Sequence, residues 1–204
     1  NNFAREAFMD ELADDAGRDP LEFRMAHLDN ERIRAVLTAA AERFGWREAR
    51  QNDEPGVGAG LACGIEKGSV VAACAEVTVD GDELSVDRVC ETFEAGAIVN
   101  PENLRAQVAG CVVMGLGAVL REEMHFDEHG LLNPAFSEYH VPRFTDLPEL
   151  DVHLIDRPEA DSAGGGETPI IAIAPAVANA VYDATGRRVR ELPIDLSESE
   201  GSSA

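Results

Sequence analysis

The sequence predicts an α+β fold. Helical signals fill the first 46 residues, hairpin signals follow, and a long capped helix is set between the hairpins. In the first stretch, Phe3, Ala7, Phe8 and Leu12 share one helical face, and Gly17 is a stop. Asp19-Pro20-Leu21-Glu22 is a start signal: Asp caps, Pro takes the first helical position and Glu completes a capping box. Leu21, Met25 and Leu28 follow on one face. A third helix begins after Asn30, carries Ile33, Val36, Leu37, Ala40 and Phe44 at helical spacing, and ends at Gly45. Helices are therefore expected over about 3–16, 20–28 and 31–44.

Residues 47–60 read as a polar linker with a turn at Asp53-Glu54-Pro55-Gly56. Strands are expected at 69–79 and 84–93, joined at Asp80-Gly81. Asn100-Pro101 opens a helix over 101–121, with Leu104, Val108, Cys111, Val112, Leu116 and Val119 as an apolar stripe. Its small residues, among them Gly110, Gly115 and Gly117, let a neighbour come close. A second hairpin is expected at Glu128-His129-Gly130, a strand at 150–155, a flexible loop over 161–166 and a helix over 170–185 ending at Gly186. This organises the chain as one domain, 1–195, with a helical lead-in (1–46) and an α+β core (57–195). A Ser/Glu-rich tail, 196–204, is expected to be disordered.

The formal charge of −22 makes nucleic acid and anionic membrane surfaces poor partners. Such acidity fits either a salt-rich cell interior or a GC-rich genome. With no run of about 18 apolar residues, no transmembrane helix is expected. The N-terminus is a helix start without a signal-peptide layout, and its lack of Met is that of a fragment or processed chain. Lys67 is the only lysine and is followed by Gly68, so it belongs to no Walker-type phosphate loop, and nothing around it suggests a Schiff base. Cys63, Cys74, Cys90 and Cys111 show no Cys-x-x-Cys spacing and read as small buried thiols. Reduced thiols fit the cytoplasm, with the periplasm as the alternative location. His125 and His129 flank a turn, and no residue is expected to ligate a metal.

Two local features bear on chemistry. In Gly164-Gly165-Gly166-Glu167-Thr168-Pro169, three glycines admit a ligand or another backbone, and a carboxylate follows just before a helix start. The helix N-terminus favours the ionised form of Glu167, which a base requires, while an apolar pocket would oppose it. Taken alone, Glu167 reads more simply as an ordinary first-turn acid after a flexible loop. The second feature is Gln107, a neutral amide among small and apolar neighbours. An amide can read a flat heterocycle, although an exposed helical glutamine is the plainer reading.

Together these segments resemble the molybdopterin-binding subunit of the xanthine dehydrogenase/aldehyde oxidase family. One matching stretch runs from Glu94-Ala95-Gly96 through Asn100-Pro101 to Gln107-Val108-Ala109-Gly110 and Gly115-Leu116-Gly117. Another runs from Gly164 through Ala174-Pro175-Ala176-Val177-Ala178-Asn179-Ala180 to Leu192-Pro193. A third is the opening from Phe3 to Leu28. In order, they are similar over about residues 3–195, most of all to the branch that holds the β chains of isoquinoline 1-oxidoreductase and aldehyde dehydrogenase.

The resemblance implies the second molybdenum-cofactor-binding domain of a molybdenum hydroxylase. Its cofactor would be molybdenum–molybdopterin, with a cytosine dinucleotide form as one variant. The implied reaction hydroxylates an aldehyde or N-heterocycle with water, Glu167 acting as base. Gln107, Gly164, Gly165 and Gly166 are the implied cofactor contacts. Electrons would leave through [2Fe–2S] clusters on an iron–sulfur subunit. The family's first molybdopterin-binding domain, with its Gly-rich motif, has no counterpart in this chain, so the isolated chain is expected to be inactive and to need that domain as a partner. Alternatives are a truncated, non-catalytic module that docks the iron–sulfur subunit, or another substrate branch: xanthine, nicotinate or carbon monoxide.

Overall fold

The computed structural model describes residues 1–197. A four-stranded sheet forms its centre, in the order β1 (Val57–Glu66), β2 (Ser69–Asp80), β3 (Glu83–Glu94), β6 (Glu149–Ile155). The first three pair antiparallel, and β6 adds parallel to β3, with Arg88 opposite Glu149 and Glu94 opposite Ile155. This mixed arrangement agrees with the expected α+β class.

Strand alternation gives the sheet two buried faces. Val71, Ala73, Ala75 and Val77 of β2, with Val89 and Phe93 of β3, pack under α5 (Pro101–Leu120) and α6 (Ile173–Thr185). Val70, Ala72, Cys74 and Cys90 face the other way, against α3 (Glu31–Phe44) and Trp46 of the short α4 (Trp46–Ala49). The caps form where the sequence signals them. Asn30 accepts from Arg32 N at 2.9 Å, and Asn100 accepts from Asn103 N at 3.0 Å. Gly45 and Gly186 end α3 and α6 with φ of 73°. A small hairpin, β4 (Phe126–Asp127) with β5 (Gly130–Leu131), forms at the second predicted turn. By length and composition, α5 is apolar enough to cross a membrane, which the run-length criterion had not detected, but one side of it packs in the core.

Three expectations need correction. The linker ends early, because β1 begins at Val57 and pairs along its whole length with β2. Its Gly-Ala-Gly-Leu-Ala-Cys-Gly sequence is poor in strand-forming types, which hid it. The small residues are what the packing needs: a Cβ on Gly58 would fall 2.4 Å from Ala180 O and Ala184 N of α6.

Helix α1 (Asn2–Asp15) buries a face rotated from the one its apolar spacing marks, with Ala7 common to both. Phe8 is exposed, and Glu6, Ala7, Asp10 and Ala13 are buried. The acids meet Arg24 of α2 (Pro20–His27), itself 2% exposed, which donates to Glu6 Oε2 at 3.1 Å and to Glu6 O at 2.8 Å. Arg188 reaches Asp10 at 2.8 Å, and Cys63 N donates to Glu6 Oε2 at 3.1 Å.

The tail is also ordered further than expected. Leu196, its first residue, is buried, and its carbonyl accepts from Arg187 at 2.6 Å. The remainder of the expected disordered tail, 198–204, lies outside the described residues.

Candidate cofactor-binding site

The glycine-rich segment leaves β6, crosses the ends of β3 and β1, and enters a 3-10 turn (Thr168–Ala172) that leads into α6. It is pinned along its course, so the loop expected to be flexible is tied to its surroundings by hydrogen bonds. Ala163 N donates to Ala95 O at 2.8 Å, and Ala97 N to Ala160 O at 3.2 Å. Gly96 sits where a Cβ would fall 2.1 Å from Asp161 O. Ser69 Oγ donates to Gly164 O at 2.9 Å.

The base of this corner is Glu94, buried at the end of β3. Burial alone would raise its carboxyl, but Arg32 (2.6 and 2.9 Å), Gly96 N (2.6 Å) and Arg157 (3.1 Å) outweigh that and hold it below its ordinary range.

The sequence-predicted residues come together here. Gln107 Nε2, nearly two turns into α5, donates to Gly166 O at 3.1 Å, across 59 residues of sequence. Cys111, one turn further, places Sγ 3.6 Å from the same carbonyl. A Cβ on Gly165 would fall 2.3 Å from Leu104 Cδ1 and 3.2 Å from the Phe93 ring, so this glycine lets the loop close onto β3 and α5. Gly164 and Gly166 have open space where a Cβ would be, and Gly164 has φ of 76°. Between loop and helix lies a cleft of about 390 Å³, with Asn100, Asn103, Gln107 and Gly164–Gly166 in its lining. A larger recess, of about 550 Å³, lies on the α3 side beside Trp46 and contains none of these residues.

Glu167 stands at the rim, outside the lining of the cleft. Its side chain is exposed and forms an ion pair with Lys67, in the turn between β1 and β2. That ammonium holds the carboxyl below its ordinary value. The source of stabilisation therefore differs from the one expected. The turn after Glu167 is 3-10, Glu167 makes no capping bond, and the cation comes from 100 residues earlier.

Sequence reasoning missed Lys67, Ser69 and Glu91 as neighbours of the site. Being the chain's sole lysine was the available signal for Lys67. Glu91 lies on β3 in the α5-facing row with Val89 and Phe93, fully buried, and neither carboxylate oxygen has a hydrogen-bond partner. Burial pushes its carboxyl well above the ordinary glutamate value. Burial likewise raises the Cys111 thiol, with Glu91 and Glu167 both adding to the effect.

Residues 66–148, which include Gln107 but not Glu167, match the family model of the molybdopterin cofactor-binding domain. A nicotinate dehydrogenase subunit of Pseudomonas putida is 37% identical over 95% of this chain and 18% of its own length. The beta chain of isoquinoline 1-oxidoreductase from Brevundimonas diminuta is 32% identical over 94% of this chain and 25% of its own length. The crystal structure of the aldehyde oxidoreductase from Desulfovibrio desulfuricans shares the fold, with a TM-score of 0.78 over 94% of this chain and 39% of that one, at 14% identity. The chain thus spans a quarter or less of the length of these two curated relatives.

Proposed function

Because the chain belongs to the molybdenum hydroxylase family, as part of a molybdenum-binding subunit, we propose that it supplies one wall of an oxidoreductase active site. The enzyme would hydroxylate an N-heterocycle or aldehyde with water and pass electrons to iron–sulfur clusters on a partner subunit. Two relatives above 30% identity that cover nearly all of this chain are named for nicotinate and isoquinoline, which favours an N-heterocycle, while an aldehyde dehydrogenase that covers 93% of it is 26% identical. Residues 1–195 would act as one domain, the lead-in joined to the core where Cys63 N donates to Glu6 and Arg188 pairs with Asp10.

The observation that carries this reading is the convergence of Gln107 and Gly164–Gly166 at one cleft, with Glu167 next in the chain at its rim. The residues fit half of a pterin site. Gln107 spends its amide N–H on Gly166 O and keeps Oε1 as an acceptor, and the glycine backbone is open to close approach. A molybdenum–molybdopterin, with the cytosine dinucleotide form as the candidate, would supply the redox-active metal centre. Gln107 and the glycine backbone would orient the pterin. Glu167 would act as general base, accepting a proton at its carboxylate, which Lys67 keeps ionised.

The other wall would come from the first molybdopterin-binding domain. An arm after α5 supports this need, because it leaves Phe126, Phe136 and Phe144 at 77%, 100% and 94% exposure. In the complete enzyme, Glu167→Gln keeps shape and hydrogen bonding but cannot take the proton. Turnover is expected to fall by at least about 10³-fold with molybdenum content near normal. Wild-type turnover in the fully loaded variant would overturn the assignment.

A further inference from the structure

The β1–β2 turn, Glu66–Ser69, is held against the glycine-rich segment at several points. Thr168 Oγ1 donates to Glu66 O at 3.1 Å, and Ser69 Oγ to Gly164 O at 2.9 Å. A Cβ on Gly68 would stand 3.3 Å from Ala163 Cβ. From the far side, Arg32 Nη2 donates to Gly68 O at 2.8 Å while its Nε holds Glu94. Turn, loop and the base of the corner are therefore one connected unit.

The turn itself is a two-residue hairpin loop with both central residues left-handed, Lys67 at φ 49° and Gly68 at φ 84°. Asn or Gly adopts the first of these positions at lower cost than lysine. Lys67 is the only non-glycine residue with positive φ among the described residues. The conformation sends its ammonium to Glu167. Among the described residues Lys67 is the cation that acts on Glu167, and the guanidinium of Arg5 is bonded instead to Asn2 Oδ1. The adjoining residue of the turn is Glu66, α5 presents the Cys111 thiol, and α1 presents neutral Asn2, bonded to Ile171 O at 2.8 Å.

We propose that Lys67 is the positioning residue for Glu167, and that the β1–β2 turn is the brace that sets this carboxylate at the rim of the cleft. The proposal rests on Glu167 being the base. Lys67 touches no substrate or cofactor in this reading. It acts by placing the carboxylate and by favouring its ionised form, so its removal acts most strongly where protonation competes.

The test uses the complete enzyme. Lys67→Met is expected to move the acid limb of kcat/KM to higher pH, with losses of up to about fivefold on that limb, the scale of one exposed ion pair. Lys67→Arg is expected to restore the wild-type profile. A second readout does not depend on turnover. Lys67, the only lysine of this chain, can be followed by acylation with an amine reagent and mass spectrometry of the peptide that carries it. Pairing raises the ammonium above its ordinary value, so acylation is expected to be faster in Glu167→Gln than in wild type.

An unchanged pH profile in Lys67→Met, or equal acylation rates in wild type and Glu167→Gln, would overturn the positioning role while leaving the base assignment standing. Coupled acylation with a fully active Glu167→Gln enzyme would instead remove the base, and the role of Lys67 with it. Should Lys67→Met fail to assemble, the acylation comparison and Lys67→Arg still decide the question.

Discussion

The amide nitrogen of Ala180 lies 2.2 Å from where a Cβ on Gly60 would have to be, and Ala176 O lies at the same distance on that side. A helix backbone thus rests directly on a strand backbone. The contact is possible because β1 offers Gly58 and Gly60 where α6 offers Ala176, Ala180 and Ala184. It places α6, and with it the turn carrying Glu167, against the sheet.

Gly60→Ala therefore has no local remedy, since the obstructing atoms are backbone. We expect a loss of about 3 kcal/mol, at the upper end of ordinary overpacking. Urea unfolding of the chain measures it. A variant within about 0.5 kcal/mol of wild type would mean that α6 can lift off without cost.

Arg24 is expected to be a large single contributor to stability. Its loss leaves Glu6 and Asp10 buried with too little positive charge, and Arg24→Met is expected to cost about 3–5 kcal/mol near neutral pH. The loss should shrink in acid. Burial already raises the Asp10 carboxyl above 3.8, against the pull of Arg188 and Arg24. A raised folded-state value gives stability that is full below 3.8 and is lost as pH rises through the folded value. Without Arg24 that value rises further, so the deficit should grow with pH. Unfolding free energies at pH 4 and pH 8 check this, and a larger deficit at pH 4 would refute it.

Glu91 should behave in the opposite sense, as a group whose removal stabilises. Its carboxyl is buried without a partner and held well above 4.5 by burial. Its favourable contribution is present below 4.5 and declines as pH rises toward the folded-state value, while the unfolded chain ionises freely. Glu91→Leu is expected to be more stable than wild type by about 1–3 kcal/mol at pH 8, with the difference narrowing toward pH 4. Thermal denaturation across that range is the measurement, and a variant less stable than wild type at pH 8 would show that the carboxyl has a partner in solution.

Much of this protein was legible along the chain because the signals are local. Asp19-Pro20, Asn30, Asn100-Pro101 and the closing Gly45 and Gly186 each act within one helical turn, and each marks a helix end in the structure. The strand–turn–strand pattern around Asp80-Gly81 is likewise decided by neighbours in sequence. Gln107 and Gly164–Gly166 stood out from their local chemistry and from the family resemblance, and they meet at the cleft.

What lay beyond the sequence depends on partners distant in the chain. No local pattern marks Val57–Glu66 as a strand, because its glycines answer to a helix more than a hundred residues later. The periodicity of α1 pointed to Phe8, but Arg24 and Arg188 make burial of Glu6 and Asp10 tolerable, so the polar face turned inward. The charge beside Glu167 is decided in the same way. Sequence placed a carboxylate after three glycines, and only the folded chain brings Lys67 to it, because the hairpin turn that carries the lysine and the loop that carries the glutamate are packed against each other from opposite ends of the core.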